Sequence, residues 1–154
     1  MPKNKTRKTV KSRLVAVYGN RIMVLKKTTK RPRFTLPGGI KKRNETKEEA
    51  LIRETREEIT LELTEQSIQF YIAHVFRTTT TTLQKNYYFT ILEPKRIEIL
   101  EKHKFKSISW LNWEYAVQFM DKSDRMAVKV YFNKIKQSTK KLKHERQISL
   151  GLAL

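Results

Sequence analysis

Cysteine is absent from the 154-residue chain, and with it go disulfides, cysteine-ligated zinc and thiol nucleophiles. Histidine is scarce: His74, His103 and His144 stand far apart with no motif around them, which leaves serine–histidine–aspartate chemistry without support. No stretch approaches the roughly eighteen consecutive apolar residues of a membrane helix. The basic N-terminus, MPKNKTRKTVKSR, is followed by no apolar run of the kind a secretory signal needs. The expectation is a chain with no membrane span and no signal peptide, in a reducing, cytoplasmic setting. The most informative shortage is of acid. Against 34 Lys and Arg stand 15 Asp and Glu, a net charge of +19, far past the roughly 2 to 8 charges that serve solubility in a small domain. Such a field concentrates polyanions, so nucleic acid, nucleotides and anionic lipid surfaces are the partners it favours.

What is present suffices for one domain with one core. Six Lys and Arg with no acid in residues 1–13 predict a mobile basic arm over 1–12. The domain is expected over 13–138, and residues 139–154 form a tail that is basic and then apolar. RLVAVYGNRIMVLKK carries apolar runs on both sides of Gly19-Asn20 and predicts a β-hairpin. RFTL adds a short strand before Pro37-Gly38-Gly39. SIQFYIAHVFRTTTTT and KNYYFTILEP, rich in β-branched and aromatic residues, predict a long hairpin, with Thr78 to Thr82 lengthening a strand or forming the tip. SISWLNWEYAVQFM predicts a last strand and a helix capped by Asn112. Val128, Tyr131, Phe132 and Ile135 recur at helical spacing and predict a helix over 124–136.

The scarce carboxylates are not spread evenly. Glu45, Glu48, Glu49, Glu54, Glu57 and Glu58 crowd into one segment directly after the glycine pair. At about 100° per residue, Glu54, Glu57 and Glu58 fall within an arc of about 100° on a helix from about Glu45 to Ile59. That arc borders the stripe of Leu51, Ile52, Thr55 and Ile59 that faces a sheet. Two such charges about 6 Å apart repel by roughly 3 kcal/mol at an effective dielectric of 20. Arg53, four residues from Glu49 and from Glu57, offsets part of this, while Glu54 and Glu58 lack such a partner. A divalent cation relieves the crowding better than a side chain, and an oxygen-only donor set suits Mg²⁺.

The spacing Gly39, five residues, Glu45, seven residues, Arg53-Glu54, two residues, Glu57-Glu58, preceded by LPGG, strongly resembles the Nudix box. The resemblance implies a Nudix-type α/β/α sandwich with a mixed central β-sheet, covering roughly residues 11–136. It implies that Glu54, Glu57 and Glu58, with the Gly38 carbonyl, hold the metal, and that Glu45 and Arg53 form a structural pair. Gly39 would serve the tight turn. Thr55 stands where the box usually has an aliphatic residue, and Thr60 where it usually has a glycine, so a different helix exit is expected. Lys104 occupies a position where many members carry a catalytic Glu, and Glu101 or Glu98 on the same loop would substitute. The implied activity is Mg²⁺-dependent hydrolysis, with Mn²⁺ as a substitute ion, of a nucleoside diphosphate linked to another moiety, either a nucleotide or an RNA 5′ end. The alternative is a non-catalytic Nudix-like module that binds RNA or another ligand. Lys41, Lys42 and Arg43 are candidate phosphate binders, and Tyr18, Phe34, Phe76, Tyr87 and Tyr88 are candidates for base stacking. Oligomeric state is left open.

Overall fold

The computed structural model describes residues 6–29 and 33–138. The C-terminal tail lies outside the described residues. The first strand, β1 (Arg7–Tyr18), turns at Gly19-Asn20 into β2 (Arg21–Lys27). Gly19 takes φ of 61°, as the first central residue of a tight hairpin turn requires. β1 begins inside the segment expected to be a mobile arm. Residues 7–12 pair in register with the strand β6 (Thr81–Ile91), from Arg7↔Thr81 onward. Their charge misled because backbone pairing to a long neighbour orders a strand whatever its side chains carry.

β1 alternates two buried faces. Leu14 and Ala16 pack with Met23, Leu25, Leu51 and Ile59, while Val15 and Val17 pack with Ala127, Val128, Tyr131 and Phe132. Two apolar faces on one strand need a layer on each side. One layer is the helix α1 (Lys47–Glu58); the other comprises α2 (Trp113–Ala116) and α3 (Lys122–Val130). The sheet is mixed: β1 and β6 run parallel, and the other pairs are antiparallel. The expected α/β/α sandwich is what the chain forms. No helix among the described residues is long and apolar enough to cross a membrane.

The sheet forks. β1 and β2 pair only at Val17↔Ile22 and Tyr18↔Arg21. Beyond that, β1 takes up β4 (Gly38–Ile40), and β2 takes up β3 (Phe34–Thr35) and β7 (Phe105–Asn112). Leu36, fully buried, wedges the fork between β3 and β4.

The remaining elements follow local chemistry. The hairpin of β5 (Gln69–Arg77) with β6 closes through Thr78, whose hydroxyl accepts from the Thr81 amide at 3.0 Å, so the threonine run supplies both tip and strand. Asn112 caps α2 by accepting from the Glu114 amide at 2.9 Å. The last helix starts at Lys122, two residues before the expected 124, because Asp121 accepts from the Asp124 amide and caps it. It then widens into a π-turn over Tyr131–Ile135, which seats both Tyr131 and Phe132 in the core.

Candidate active site

Two glycines open the site, each for its own reason. Gly38 takes φ of 133°, and a Cβ there would meet the Ser12 carbonyl oxygen at 2.0 Å. Its amide donates to Glu58 Oε1 at 2.8 Å. At Gly39 a Cβ would stand 2.4 Å from Glu54 Cδ. Gly39, expected to serve the turn, instead lets the Glu54 carboxylate lie against the backbone, and the positive φ falls one residue earlier. The helix that carries the glutamates is capped by Thr46, which accepts from the Glu49 amide at 3.1 Å. The cap moves the start of α1 past Glu45 and leaves that side chain free to turn back.

Arg53 is the hub. It grips Glu45 in a fork, Nε to Oε2 at 3.0 Å and Nη2 to Oε1 at 2.7 Å, and Nη2 also donates to the Ile40 carbonyl at 3.0 Å. This hydrogen bond holds the Glu45 carboxyl down at about 2. Arg53 Nη1 lies 3.0 Å from Glu54 and 3.3 Å from Glu57. The expected partner Glu49 is not among the carboxylates it pairs with in the described residues, and Glu54, expected to lack a local partner, has one. The Arg53 guanidinium spends its N–H groups on Glu45, the Ile40 carbonyl, Glu54 and Glu57, which leaves none for Glu49.

Glu58 is nearly buried, 3% exposed. Burial pushes its carboxyl up to about 7, against the Gly38 amide and Arg13, which pull it down; Glu54 and Glu101 push it further up. Glu101 reaches this neighbourhood because its loop is clipped to the end of α1. Ile59 leaves the helix in an extended conformation, φ −144°, with no left-handed residue. Thr60 then exchanges bonds with Glu98: its amide donates to the Glu98 carbonyl at 2.9 Å, and its hydroxyl accepts from the Glu98 amide at 2.8 Å. The Leu100 amide donates to the Glu58 carbonyl at 2.8 Å. The altered exit anticipated from Thr60 is thus the device that docks the loop. Glu98 itself serves the clip, and Glu101 pairs with Lys104 at 2.9 Å.

A cavity of about 500 Å³ lies in the fork of the sheet. Glu54 and Glu58 line it, together with Gly38 and Gly39; Lys11, Arg13, Lys27 and Lys104 furnish a basic wall. Glu57 leans outward onto Arg53, its side chain half exposed, and does not line this cavity. Nor do Lys41, Lys42 and Arg43, which sit on the loop leading to α1. None of the five candidate stacking aromatics lines it. Tyr87, for one, is buried with its hydroxyl donating to Asp124 at 2.6 Å. The basic wall was missed because Lys11 fell in the expected arm and Arg13 at the first position of the expected domain. Their two-residue spacing, in phase with Val15 and Val17, was the available signal.

Among the described residues no three His, Asp or Glu side chains converge as a ready-made metal cage. The donor chemistry nevertheless fits a hard cation. Every donor is oxygen, the gap between Glu54 and Glu57 already draws a cationic nitrogen, and the buried Glu58 has no cation bonded to it among the described contacts. Mg²⁺ or Mn²⁺ suits such a set.

The NUDIX domain profile matches residues 8–131. The chain belongs to the Nudix family. No curated protein matches it in sequence. Among solved structures, this Nudix hydrolase is similar to a MutT NUDIX hydrolase from Burkholderia pseudomallei, with TM-score 0.68, 18% identity, and 80% of this chain and 97% of that chain covered. It also resembles a C. elegans Ap4A hydrolase, at TM-score 0.61 and 16% identity over 84% of this chain and 98% of that one. A third is the E. coli dihydroneopterin triphosphate pyrophosphohydrolase, at 0.65 and 16% over 82% and 97%.

Proposed function

We propose that this Nudix hydrolase cleaves the pyrophosphate linkage of a nucleoside diphosphate joined to another moiety, with Mg²⁺ as its ion and Mn²⁺ as a substitute. The observation that carries the reading is the pairing of Glu54 and the buried Glu58 on one wall of a cavity whose other wall is basic. Glu54, Glu57 and Glu58, with the Gly38 carbonyl, would hold the ion, which when bound polarises phosphate oxygens and acidifies the attacking water. The Gly38 carbonyl keeps its orientation through Arg13 Nη1, 3.2 Å away. Glu101, tethered through Leu100 to the end of α1, accepts the water's proton as the new P–O bond forms. The bridging P–O bond breaks, and the leaving phosphate departs with the electron pair. Lys41, Lys42 and Arg43, outside the cavity, act in this reading through the field that draws in phosphorylated substrate. A cytoplasmic nucleotide or an RNA 5′ end answers equally to that field.

Glu57→Gln combined with Glu58→Gln is expected to abolish Mg²⁺-dependent release of phosphate from a panel of nucleoside triphosphates, nucleotide sugars, dinucleoside polyphosphates and triphosphorylated RNA, while circular dichroism stays native. Undiminished turnover would overturn the assignment. An RNA substrate would announce itself by salt: its binding should fall with a log–log slope of about −0.7 per phosphate contacted, where a mononucleotide shows a shallow one. The second reading, a binding module without catalysis, is favoured by the Lys104 ammonium 2.9 Å from Glu101, an ion pair that occupies the carboxylate this mechanism needs as its base. Absence of turnover on every substrate with Mg²⁺ or Mn²⁺ would select it.

A further inference from the structure

The basic wall of the cavity has a chemistry of its own. Lys11 and Arg13 rise from one arm of the forked sheet and Lys27 from the end of the other, and all three line the same cavity. Among the described residues, the carboxylates that pair with lysine are Asp121, Asp124 and Glu101, and their partners are Lys85 and Lys104. Lys85, which sits beside Lys11 in the β1–β6 register, is engaged by Ser123 at 2.8 Å and Asp121 at 3.3 Å. Lys11 and Lys27 have no such partner. Arg13 gives Nη1 to the Leu36 and Gly38 carbonyls, while its buried Nε is without a hydrogen-bond partner. Both lysines are half-buried, and burial, followed by repulsion from neighbouring cations, lowers their proton affinity. Three cationic groups thus stand together, partly desolvated, with no carboxylate in direct ion-pair contact among the described residues. Such a cluster is stabilised by an anion rich in acceptor oxygens.

We propose that Lys11, Arg13 and Lys27 form a phosphate subsite that holds phosphates beyond the scissile linkage, making a nucleoside polyphosphate the preferred substrate over a nucleoside diphosphate joined to a neutral sugar. The substrate preference rests on the hydrolase reading above, whereas the anion site does not. A neutral sugar placed against this wall would leave the ammonium groups uncompensated; a phosphate chain would neutralise them and accept their hydrogen bonds.

The test separates the two. The full chain is titrated calorimetrically with inorganic tripolyphosphate in the presence of chelator. Lys11→Gln with Lys27→Gln is expected to weaken binding at least about tenfold, as befits lost charge-assisted bonds. Lys129→Gln with Lys134→Gln, which removes equal charge outside the cavity, should weaken it less than about twofold by lowering the general field. Equal losses in the two double variants, or none in the first, would overturn the subsite. Should the first variant unfold on heating earlier than the control, Lys27→Gln alone and its rescue by Lys27→Arg carry the same comparison. With Mg²⁺, the ratio of kcat/KM for a nucleoside triphosphate over a nucleotide sugar should fall at least about tenfold in Lys11→Gln/Lys27→Gln; a constant ratio with intact turnover would sink the subsite and spare the hydrolase. Tripolyphosphate bound through these lysines in a protein that hydrolyses nothing would do the reverse.

Discussion

Thr55 is fully buried in the helix face that packs on the sheet, and its hydroxyl has no hydrogen-bond partner. Removing an unsatisfied buried hydroxyl while keeping its shape relieves a desolvation cost. Thr55→Val is therefore expected to stabilise the fold by about 1 kcal/mol, raising Tm by about 2 to 4 °C in thermal unfolding; a lowered Tm would mean that the hydroxyl has a partner in solution. The two titrating glutamates act on stability with opposite sign. Glu58, raised to about 7 from an ordinary 4.5, binds its proton more readily folded than unfolded. The metal-free protein should thus gain stability as pH falls through 7, with the gain complete below about 4.5. Glu45 is depressed to about 2, so its contribution is whole above about 4.5 and is lost as pH falls toward 2. Chemical denaturation across this range should show the first slope vanish in Glu58→Gln and the second in Glu45→Gln.

At the level of elements, the loop before β7 is held by the end of α1 through Thr60, Glu98 and Leu100. Thr60→Gly restores the residue more usual at such a helix exit but removes the hydroxyl that accepts from Glu98. The expected cost is about 1 to 2 kcal/mol, with faster hydrogen exchange at Leu100 and a drop in turnover as Glu101 loses its anchorage; unchanged exchange at Leu100 would refute the clip. Much of this architecture was legible beforehand. The Gly19-Asn20 hairpin, the Asn112 cap and the helix following the glycine pair each announce themselves by local chemistry, since turn and cap residues act within four positions. The fork of the sheet was not legible, because Arg13 meets Gly38 and Leu25 meets Thr35 through pairings that no local pattern encodes. The same limit hid the basic wall, whose members come from strands that diverge, and the role of Gly39, which depends on a carboxylate fifteen residues away. The neighbourhood of Glu54 and Glu58 on one wall of the cavity, by contrast, was readable because helix periodicity sets it, whereas the outward lean of Glu57 onto Arg53 was not.

Taken whole, the molecule carries +19 charges, and six of its described acidic groups pair close to home, at Arg53, Lys85 and Lys104. Self-repulsion among the remaining cations should outweigh these few pairs. Thermal unfolding is expected to shift upward by several degrees between low salt and about 0.5 M NaCl, because screening weakens exposed repulsion more than buried attraction; a downward shift would show that the local pairs dominate. The parallel partnership of β1 with β6 has a bearing on how the chain acquires its shape. Thr9 meets Leu83, and Val17 meets Ile91, so the opening strand waits for a segment more than seventy residues downstream before its far edge is closed. Contacts of such separation are slow to form. During synthesis from the ribosome, β1 can pair with β4 at Lys11↔Ile40 and Arg13↔Gly38 long before its other edge finds residues 81–91, so one side of that strand stays open while most of the domain is still being made.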